Sequence, residues 1–131
     1  MAYITLDDKS MDLKFGYESY KRLQKEFQTD IGELITRISA LDLVATEIFV
    51  CCCLTQEAKY KTVTLKDVTG MIANSIDKGE LGIFSLRDLI NATIEESHFL
   101  KRMLEEMQQI MEKAKKTKAT NVQKEKSTST N

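Results

Sequence analysis

The sequence predicts a mainly α-helical protein, in which an N-terminal β-hairpin packs on a bundle of four to five helices. A long final helix then leads into a disordered C-terminal tail. Apolar and polar residues alternate only before Gly16, and apolar residues recur at helical spacing after it. None of the 131 residues is proline, so few helix breaks are forced. The content of 42% hydrophobic and 30% charged residues is typical of a globular protein in water.

The hairpin is predicted from two short segments in which apolar and polar residues alternate. Its apolar positions share one face of the strands: Ile4, Leu6, Met11, Leu13 and Phe15. The polar residues Asp7 to Ser10 between the two segments are typical of a turn. Because an isolated hairpin is only marginally stable in water, we expect its apolar face to rest on the helices.

Helix starts are predicted from pairs in which a short oxygen-bearing side chain is followed three positions later by a carboxylate, since such pairs satisfy free N–H groups. Four pairs have this spacing: Asp30 with Glu33, Ser39 with Asp42, Thr64 with Asp67, and Ser85 with Asp88. Combined with the apolar periodicity, they predict helices over residues 17–28, 31–38, 40–56, 65–76 and 86–113.

The predicted domain division coincides with a change of charge. Residues 1–112 form a single helical domain with net charge −6, whereas residues 113–131 carry six lysines and one glutamate, a net charge of +5. This Lys/Ser/Thr-rich tail contains a single sizeable apolar residue, Val122, too little to offset the entropy of ordering. We therefore expect residues 113–131 to be disordered, and we expect the acidic domain to repel nucleic acid.

The three cysteines are adjacent, in the stretch "EIFVCCCLTQ". Successive residues of a helix are rotated by about 100°, so Cys51, Cys52 and Cys53 point in three directions and cannot converge on one metal ion. A free cysteine packs as a small hydrophobe, and we interpret these three as core residues. No signal peptide is evident, and the longest apolar run, Leu41 to Leu54, is too short to span a bilayer, so a cytosolic protein with reduced thiols is expected.

No catalytic, cofactor or metal site is indicated by the sequence. His98 is the single histidine, and with Glu95 it forms one E-x-x-H pair, whereas a di-iron bundle uses two. There is no G-x-S-x-G nucleophile motif, and the five glycines form no phosphate-binding loop. We therefore predict a protein that is not an enzyme.

Two apolar features are candidate protein-interaction surfaces. The first is a stripe at helical spacing on the final helix: Met103, Met107, Ile110 and Met111. A helix of roughly 28 residues is about 42 Å long, longer than a domain of this size is wide, so we expect its end to project. The second feature is the segment of Leu81, Ile83 and Phe84 before Ser85, which serves either as a hydrophobic staple or as a docking site.

The stretch "YITLDDKSMDLKFGYESYKRL" has the form I-T-turn-L-K-F-G followed by a helix. "LDLVATEIFVCCCL", "TVTLKDVTGMIANSID" and "SLRDLINATIEESHFLKRMLEE" follow as an apolar helix, a further helix and a long final one. This order resembles the tail assembly chaperones of long-tailed (siphovirus-type) phages of Gram-positive bacteria. The resemblance covers roughly Tyr3 to Glu106, and the cysteines are no part of it.

The resemblance implies a non-enzymatic helper in the host cell cytoplasm. Such proteins bind the tape measure protein, keep it soluble, recruit tail tube protein around it and are absent from the mature virion. They form curved or spiral oligomers, and a longer form is often made by ribosomal frameshifting. The residues alone leave an alternative: a small cytosolic regulator or adaptor whose basic tail binds nucleic acid or an acidic partner.

Overall fold

The computed structural model describes the backbone of residues 2–129 and the side chains of residues 2–115. It confirms the predicted fold class, a β-hairpin followed by helices. The strands are β1 (Tyr3–Leu6) and β2 (Lys9–Asp12), and the helices are α1 (Tyr17–Arg22), α2 (Ile31–Ser39), α3 (Leu43–Leu54), α4 (Leu65–Asp77), α5 (Ile83–Glu96) and α6 (His98–Ser129). The chain forms two compact units, one up to Leu100 and one from Lys101 onward.

The hairpin has a shorter turn than the sequence suggests. Lys9 and Ser10, expected in the turn, belong to β2 and pair with Leu6 and Thr5 of β1. The connection is thus a tight turn at Asp7 and Asp8, whose φ angles of 50° and 62° lie in the left-handed region that aspartate tolerates. The apolar face is buried as predicted: Ile4, Leu6, Met11, Leu13 and Phe15.

The first predicted helix, over residues 17–28, is confirmed, but its second half is π-helical instead of α-helical. A single π-helical turn, Leu23–Phe27, follows α1, and the chain leaves the helix at Gln28, whose φ is 50°. A residue that is distant in sequence bonds the start of α1: the Oε1 atom of Gln56 accepts a hydrogen bond from the backbone N–H of Ser19 (3.1 Å). Gln56 lies just after α3, so this bond links the start of α1 to the end of α3.

Two of the four predicted helix caps are confirmed. The carboxylate of Asp30 accepts a hydrogen bond from the Glu33 N–H (2.8 Å) at the start of α2. At the start of α4, the Thr64 hydroxyl accepts from the Asp67 N–H and the Asp67 carboxylate accepts from the Thr64 N–H. This reciprocal pair satisfies two N–H groups that the helix itself cannot.

The prediction that Ser39 begins the third helix is wrong, because Asp42 takes that role. The Asp42 carboxylate accepts hydrogen bonds from the Ala45 N–H (3.2 Å) and from Nε of Arg37 (2.8 Å). The Arg37 guanidinium and this amide hold the pKa of Asp42 below its ordinary value. Ser39 is therefore the last residue of α2, and α3 begins at Leu43 after Leu41, which has a left-handed φ of 63°.

The prediction that Ser85 caps the next helix is also wrong. α5 begins at Ile83, with Gly82 in the extended conformation at the N-cap position, so Ser85 is already helical. Leu81 and Leu86 then occupy the two positions of a hydrophobic staple, immediately before the cap and one turn into the helix. Leu81 is half-buried and Leu86 is buried, which accounts for an earlier helix start than the serine indicates.

The predicted single final helix over residues 86–113 is in fact two helices divided at Ser97. The Ser97 hydroxyl donates a hydrogen bond to the carbonyl of Phe15 (2.7 Å) and accepts one from the Leu100 N–H (3.0 Å). A serine side chain that bonds nearby backbone in this way competes with helix continuation. Ser97 thus ends α5, begins α6 and attaches both to the residue that follows the hairpin.

α6 continues to Ser129, beyond Lys113, where the sequence predicts that the helix ends. Side chains from residue 116 onward lie outside the described part, and the predicted disorder of residues 113–131 stays a prediction. Within residues 2–129, no helix is both long and apolar enough to cross a lipid bilayer.

α3 is the centre of the first unit and packs against α1, α2, α4 and α5. It is buried on nearly its whole circumference from Ala45 to Leu54. Phe49 of α3 stacks on Phe15, with ring centroids 5.0 Å apart and planes inclined by 16°. The hairpin face and the helices therefore share one core.

We predict that Gln56→Ala lowers the free energy of unfolding by about 1–2 kcal/mol, because the Ser19 N–H at the start of α1 loses its partner. Urea denaturation followed by circular dichroism measures this change. Gln109→Ala, at an exposed position of α6, is the matched control and should alter stability by less than about 0.5 kcal/mol. Equal effects of the two substitutions would contradict the role assigned to Gln56.

Candidate interaction surfaces

The cysteines are buried in the core and carry no disulfide. Cys51, Cys52 and Cys53 are free thiols with no exposed surface. Burial raises the pKa of Cys51 to about 11 and that of Cys52 to about 12, and it raises the pKa of Cys53 well above its ordinary value. Among the described residues, no group of three or more His, Cys, Asp and Glu side chains is placed to hold a metal ion. The prediction that the three cysteines are core residues agrees with these positions.

Arg22 has a structural role that sequence patterns do not reveal. Its guanidinium bonds the Glu26 carboxylate (2.7 Å), the Thr55 hydroxyl (3.0 Å) and the Val63 carbonyl (2.6 Å). These bonds join α1 to the end of α3 and to the α3–α4 connection. Arg22 also borders a shallow depression with three lysines, Lys21, Lys25 and Lys61, but its own donors are engaged by the protein.

An apolar cavity of about 270 Å³ lies beside the end of the hairpin, lined by residues that include Leu13, Phe15, Thr93 and Phe99. The polar side chains around it have structural partners: the Ser97 hydroxyl bonds the backbone at two points, and Glu96 accepts from the Ala2 N–H (2.8 Å). His98, at its edge, is exposed. The wall of the cavity is therefore mainly apolar, and Ser97 and Glu96 are engaged by the protein backbone.

Large apolar side chains are exposed on the first unit, at the starts of α3 and α5. The body patch, as we call it, consists of Leu43, Val44, Ile83 and Phe84, which are 39%, 54%, 37% and 61% exposed. Leu43 and Leu86 line one cavity of about 200 Å³, together with Ile76 of α4. Of the four body-patch residues, Leu43 lines this cavity. Val44 follows Leu43 in sequence, and Ile83 precedes Leu86 by one helical turn.

The structure separates the members of the predicted Leu81–Phe84 feature. Leu81 is half-buried at the staple position, whereas Ile83 and Phe84 are exposed on the first turn of α5. The guanidinium of Arg87 lies 5.1 Å from the centre of the Phe84 ring and covers part of one face. The staple interpretation thus fits Leu81, and the docking interpretation of Ile83 and Phe84 stays a prediction. Leu43 and Val44, which the sequence did not single out, are exposed as well.

The second candidate surface is the helix stripe on α6: Met103, Met107, Ile110 and Met111. Met103 and Met107 are half-buried, whereas Ile110 and Met111 are 67% and 61% exposed. On a helix, Met103, Met107 and Met111 are spaced by four residues, and Ile110 lies beside them at a spacing of three from Met107. The stripe becomes more exposed toward its C-terminal end, and its role as an interaction surface stays a prediction.

Comparisons with protein-family models, with curated protein sequences and with solved structures found no match to this chain.

We predict that the three thiols do not react with Ellman's reagent in the native protein at pH 8. The thiolate is the reactive form, and raising the pKa of Cys51 from 9.0 to about 11 reduces its thiolate population about a hundredfold at this pH. All three thiols should react once guanidinium chloride unfolds the chain. A thiol that reacts rapidly in the folded protein, or about one zinc ion per chain by elemental analysis, would contradict the interpretation of these residues as core.

Proposed function

We propose that this chain is a tail assembly chaperone of a long-tailed phage, acting in the host cell cytoplasm. It binds the tape measure protein, keeps it soluble, recruits tail tube subunits and leaves before the virion is complete. The proposed function involves no catalysis and no cofactor. It includes self-association, and a longer frameshifted form of the chain is compatible with it.

The exposed helix stripe is the observation that carries this proposal. Ile110 and Met111 are large apolar side chains that lie next to each other in α6 and are exposed to water. Met103 and Met107, earlier in the same helix, are half-buried. An amphipathic helix recognises such a surface by inserting apolar side chains at helical spacing. A long, mainly helical tape measure protein presents this pattern repeatedly. The flexible methionine thioethers adapt to varied side chains along it.

The sequence order supplies the second support. The hairpin with its "ITLDDKSMDLKFG" pattern leads directly into α1, and the apolar helix α3 follows, as in the family that the sequence resembles. The acidic charge of residues 1–112 is consistent with a helper that must remain in solution while it coats an apolar partner.

We predict that Met107→Glu combined with Met111→Glu leaves the chain folded but abolishes capture of the tape measure protein from the same phage. Two carboxylates on the stripe would have to be desolvated without partners, which costs several kcal/mol. Co-expression of the two proteins, followed by affinity purification through a tag on the tape measure protein, measures capture. Circular dichroism checks the fold.

The matched control is Gln108→Glu combined with Gln109→Glu, which adds the same charge to the same turns at exposed positions off the stripe. This control should capture the tape measure protein as the unchanged chain does. If the methionine variant unfolds, the stripe is core and the proposal loses its main support. If it captures as well as the control, the partner surface lies elsewhere, with Leu81 to Phe84 next to be tested.

The +5 charge of residues 113–131 favours the second candidate function, a regulator or adaptor that binds nucleic acid or an acidic partner through its tail. That function requires a salt-sensitive shift of the chain on mixing with DNA. The net charge of −6 on the preceding residues opposes such binding, and the tail has no aromatic residue on which bases could stack.

A further inference from the structure

A depression of about 430 Å³ lies beside the end of α1 and the connection between α3 and α4. Four cations line this basic depression, as we call it: Lys21, Arg22, Lys25 and Lys61. Its acidic lining residues are Glu18 and Glu26, so the lining has a net charge of +2, whereas residues 1–112 together carry −6. A cleft lined by one sign of charge concentrates ions of the opposite sign. The proposed binding of a tape measure protein makes no use of this positive site.

Arg22 fixes the two segments that form the basic depression. Its side chain is only 13% exposed. Its guanidinium bonds three groups of the protein, namely the Glu26 carboxylate, the Thr55 hydroxyl and the Val63 carbonyl. The Thr55 hydroxyl in turn donates to the Cys51 carbonyl (3.1 Å). The connection between α3 and α4 is therefore held against α1 by the protein itself, and the depression needs no ligand to form.

The lysines of the basic depression lack such partners. Lys25 and Lys61 are exposed, and neither forms an ion pair within residues 2–115. The Lys21 ammonium lies 5.4 Å from the centre of the Tyr17 ring. Lys21 and Lys25 are four residues apart on one helical segment, a spacing at which like charges repel each other. An anion bound between these lysines and Lys61 would relieve that repulsion.

The backbone that carries Lys25 is unusual. Lys25 belongs to the π-helical turn Leu23–Phe27, which directly follows α1. Single π-helical turns are rare and occur frequently at functional sites. One isolated lysine on a surface is ordinary, but here a π-helical turn and a separate connection bring three of them to one depression. This convergence indicates recognition of an anion.

The available donors favour phosphate groups over carboxylates. The planar fork of an arginine is the group that matches a carboxylate best, but the fork of Arg22 is engaged by the protein. A lysine ammonium is a compact charge with three N–H donors, and it binds phosphate oxygens well. Thr62, which also lines the depression, is exposed and adds a hydroxyl donor.

The surrounding charge favours a small ligand. A long polyanion such as nucleic acid would extend beyond the basic depression and meet the acidic charge of residues 1–112, which repels it. A ligand no larger than the depression is screened from distant carboxylates, because the Debye length is about 8 Å at physiological ionic strength.

We propose that the basic depression binds a compact anion that contains two or more linked phosphate groups, held by Lys21, Lys25 and Lys61. Nucleoside triphosphates and inorganic oligophosphates share this chemistry. The ligand contacts both α1 and the connection between α3 and α4, so its binding stabilises the first unit. The site uses no residue of the helix stripe, and it does not rest on the proposed function.

Isothermal titration calorimetry of the full chain with sodium tripolyphosphate tests this site. We expect Lys25→Gln and Lys61→Gln each to weaken binding by about tenfold, because each removes one charge-assisted bond. The double variant should lose one site per chain. Both side chains are exposed, so circular dichroism should show an unchanged fold.

Titration with ATP identifies the source of the phosphate groups. Tighter binding of ATP than of tripolyphosphate would assign a nucleotide, and weaker binding would assign an inorganic oligophosphate. Equal affinities would show that the phosphate chain alone is recognised. Each of these results supports the site, provided that the double variant loses the binding.

The matched control is Lys9→Gln combined with Lys78→Gln, which removes the same two charges from exposed positions outside the basic depression. It should bind tripolyphosphate as the unchanged chain does. The lysine-rich residues 113–131 are present in both double variants, so binding by them alone would make the two variants equal and would overturn the inference. The inference is also overturned if the unchanged chain binds no tripolyphosphate. The same holds if Lys25→Gln with Lys61→Gln weakens binding of a hexaglutamate peptide or of oligothymidylate more than binding of tripolyphosphate.

Discussion

The arrangement of the first unit depends on the burial of α3, which is covered on nearly its whole circumference. A helix that is apolar all round is stable in water only when other elements cover every side of it. Four helices pack against α3, and Phe15, which follows the hairpin, stacks on Phe49. The three cysteines suit such a buried helix, because their side chains are small and only weakly polar. Neighbouring helices can therefore approach α3 closely without burying a strong hydrogen-bonding group.

Polar contacts within the first unit hold the ends of its helices around that core. Gln56 reaches from the end of α3 to the start of α1, Arg22 reaches from α1 to the α3–α4 connection, and Arg37 fixes Asp42 at the start of α3. Each of these bonds satisfies a backbone group or a carboxylate at a helix end, where the helix itself leaves donors or acceptors free. Two buried hydroxyls, those of Thr29 and of Ser75 in α4, have no hydrogen-bond partner in the described structure.

The sequence predicts those features that are set by neighbouring residues. The hairpin face follows from strict alternation, and the caps at Asp30 and Thr64 follow from a spacing of three, because both depend on local geometry alone. The roles of Ser39 and Ser97 were not predicted, because they depend on other groups. Arg37 bonds Asp42, which caps α3 in place of Ser39, and the Ser97 hydroxyl bonds the distant Phe15 carbonyl. For the candidate surfaces, the sequence predicted the stripe on α6 from its periodicity and Phe84 from an apolar segment before Ser85. It could not identify Leu43 and Val44, whose apolar character resembles that of the buried residues that follow.

The bonds that join the two ends of the first unit bear on how the chain folds during synthesis. The Ala2 N–H bonds Glu96, 94 residues away, and the Ser97 hydroxyl bonds the Phe15 carbonyl, 82 residues away. The hairpin is therefore translated well before two of the groups that bond it. The contacts of the hairpin with Phe49 of α3 and with α4 can form earlier, whereas the bonds to Glu96 and Ser97 close loops of 94 and 82 residues, which is slow. A nascent chain halted before residue 96 would lack both bonds and would leave this end of the hairpin more open to proteases.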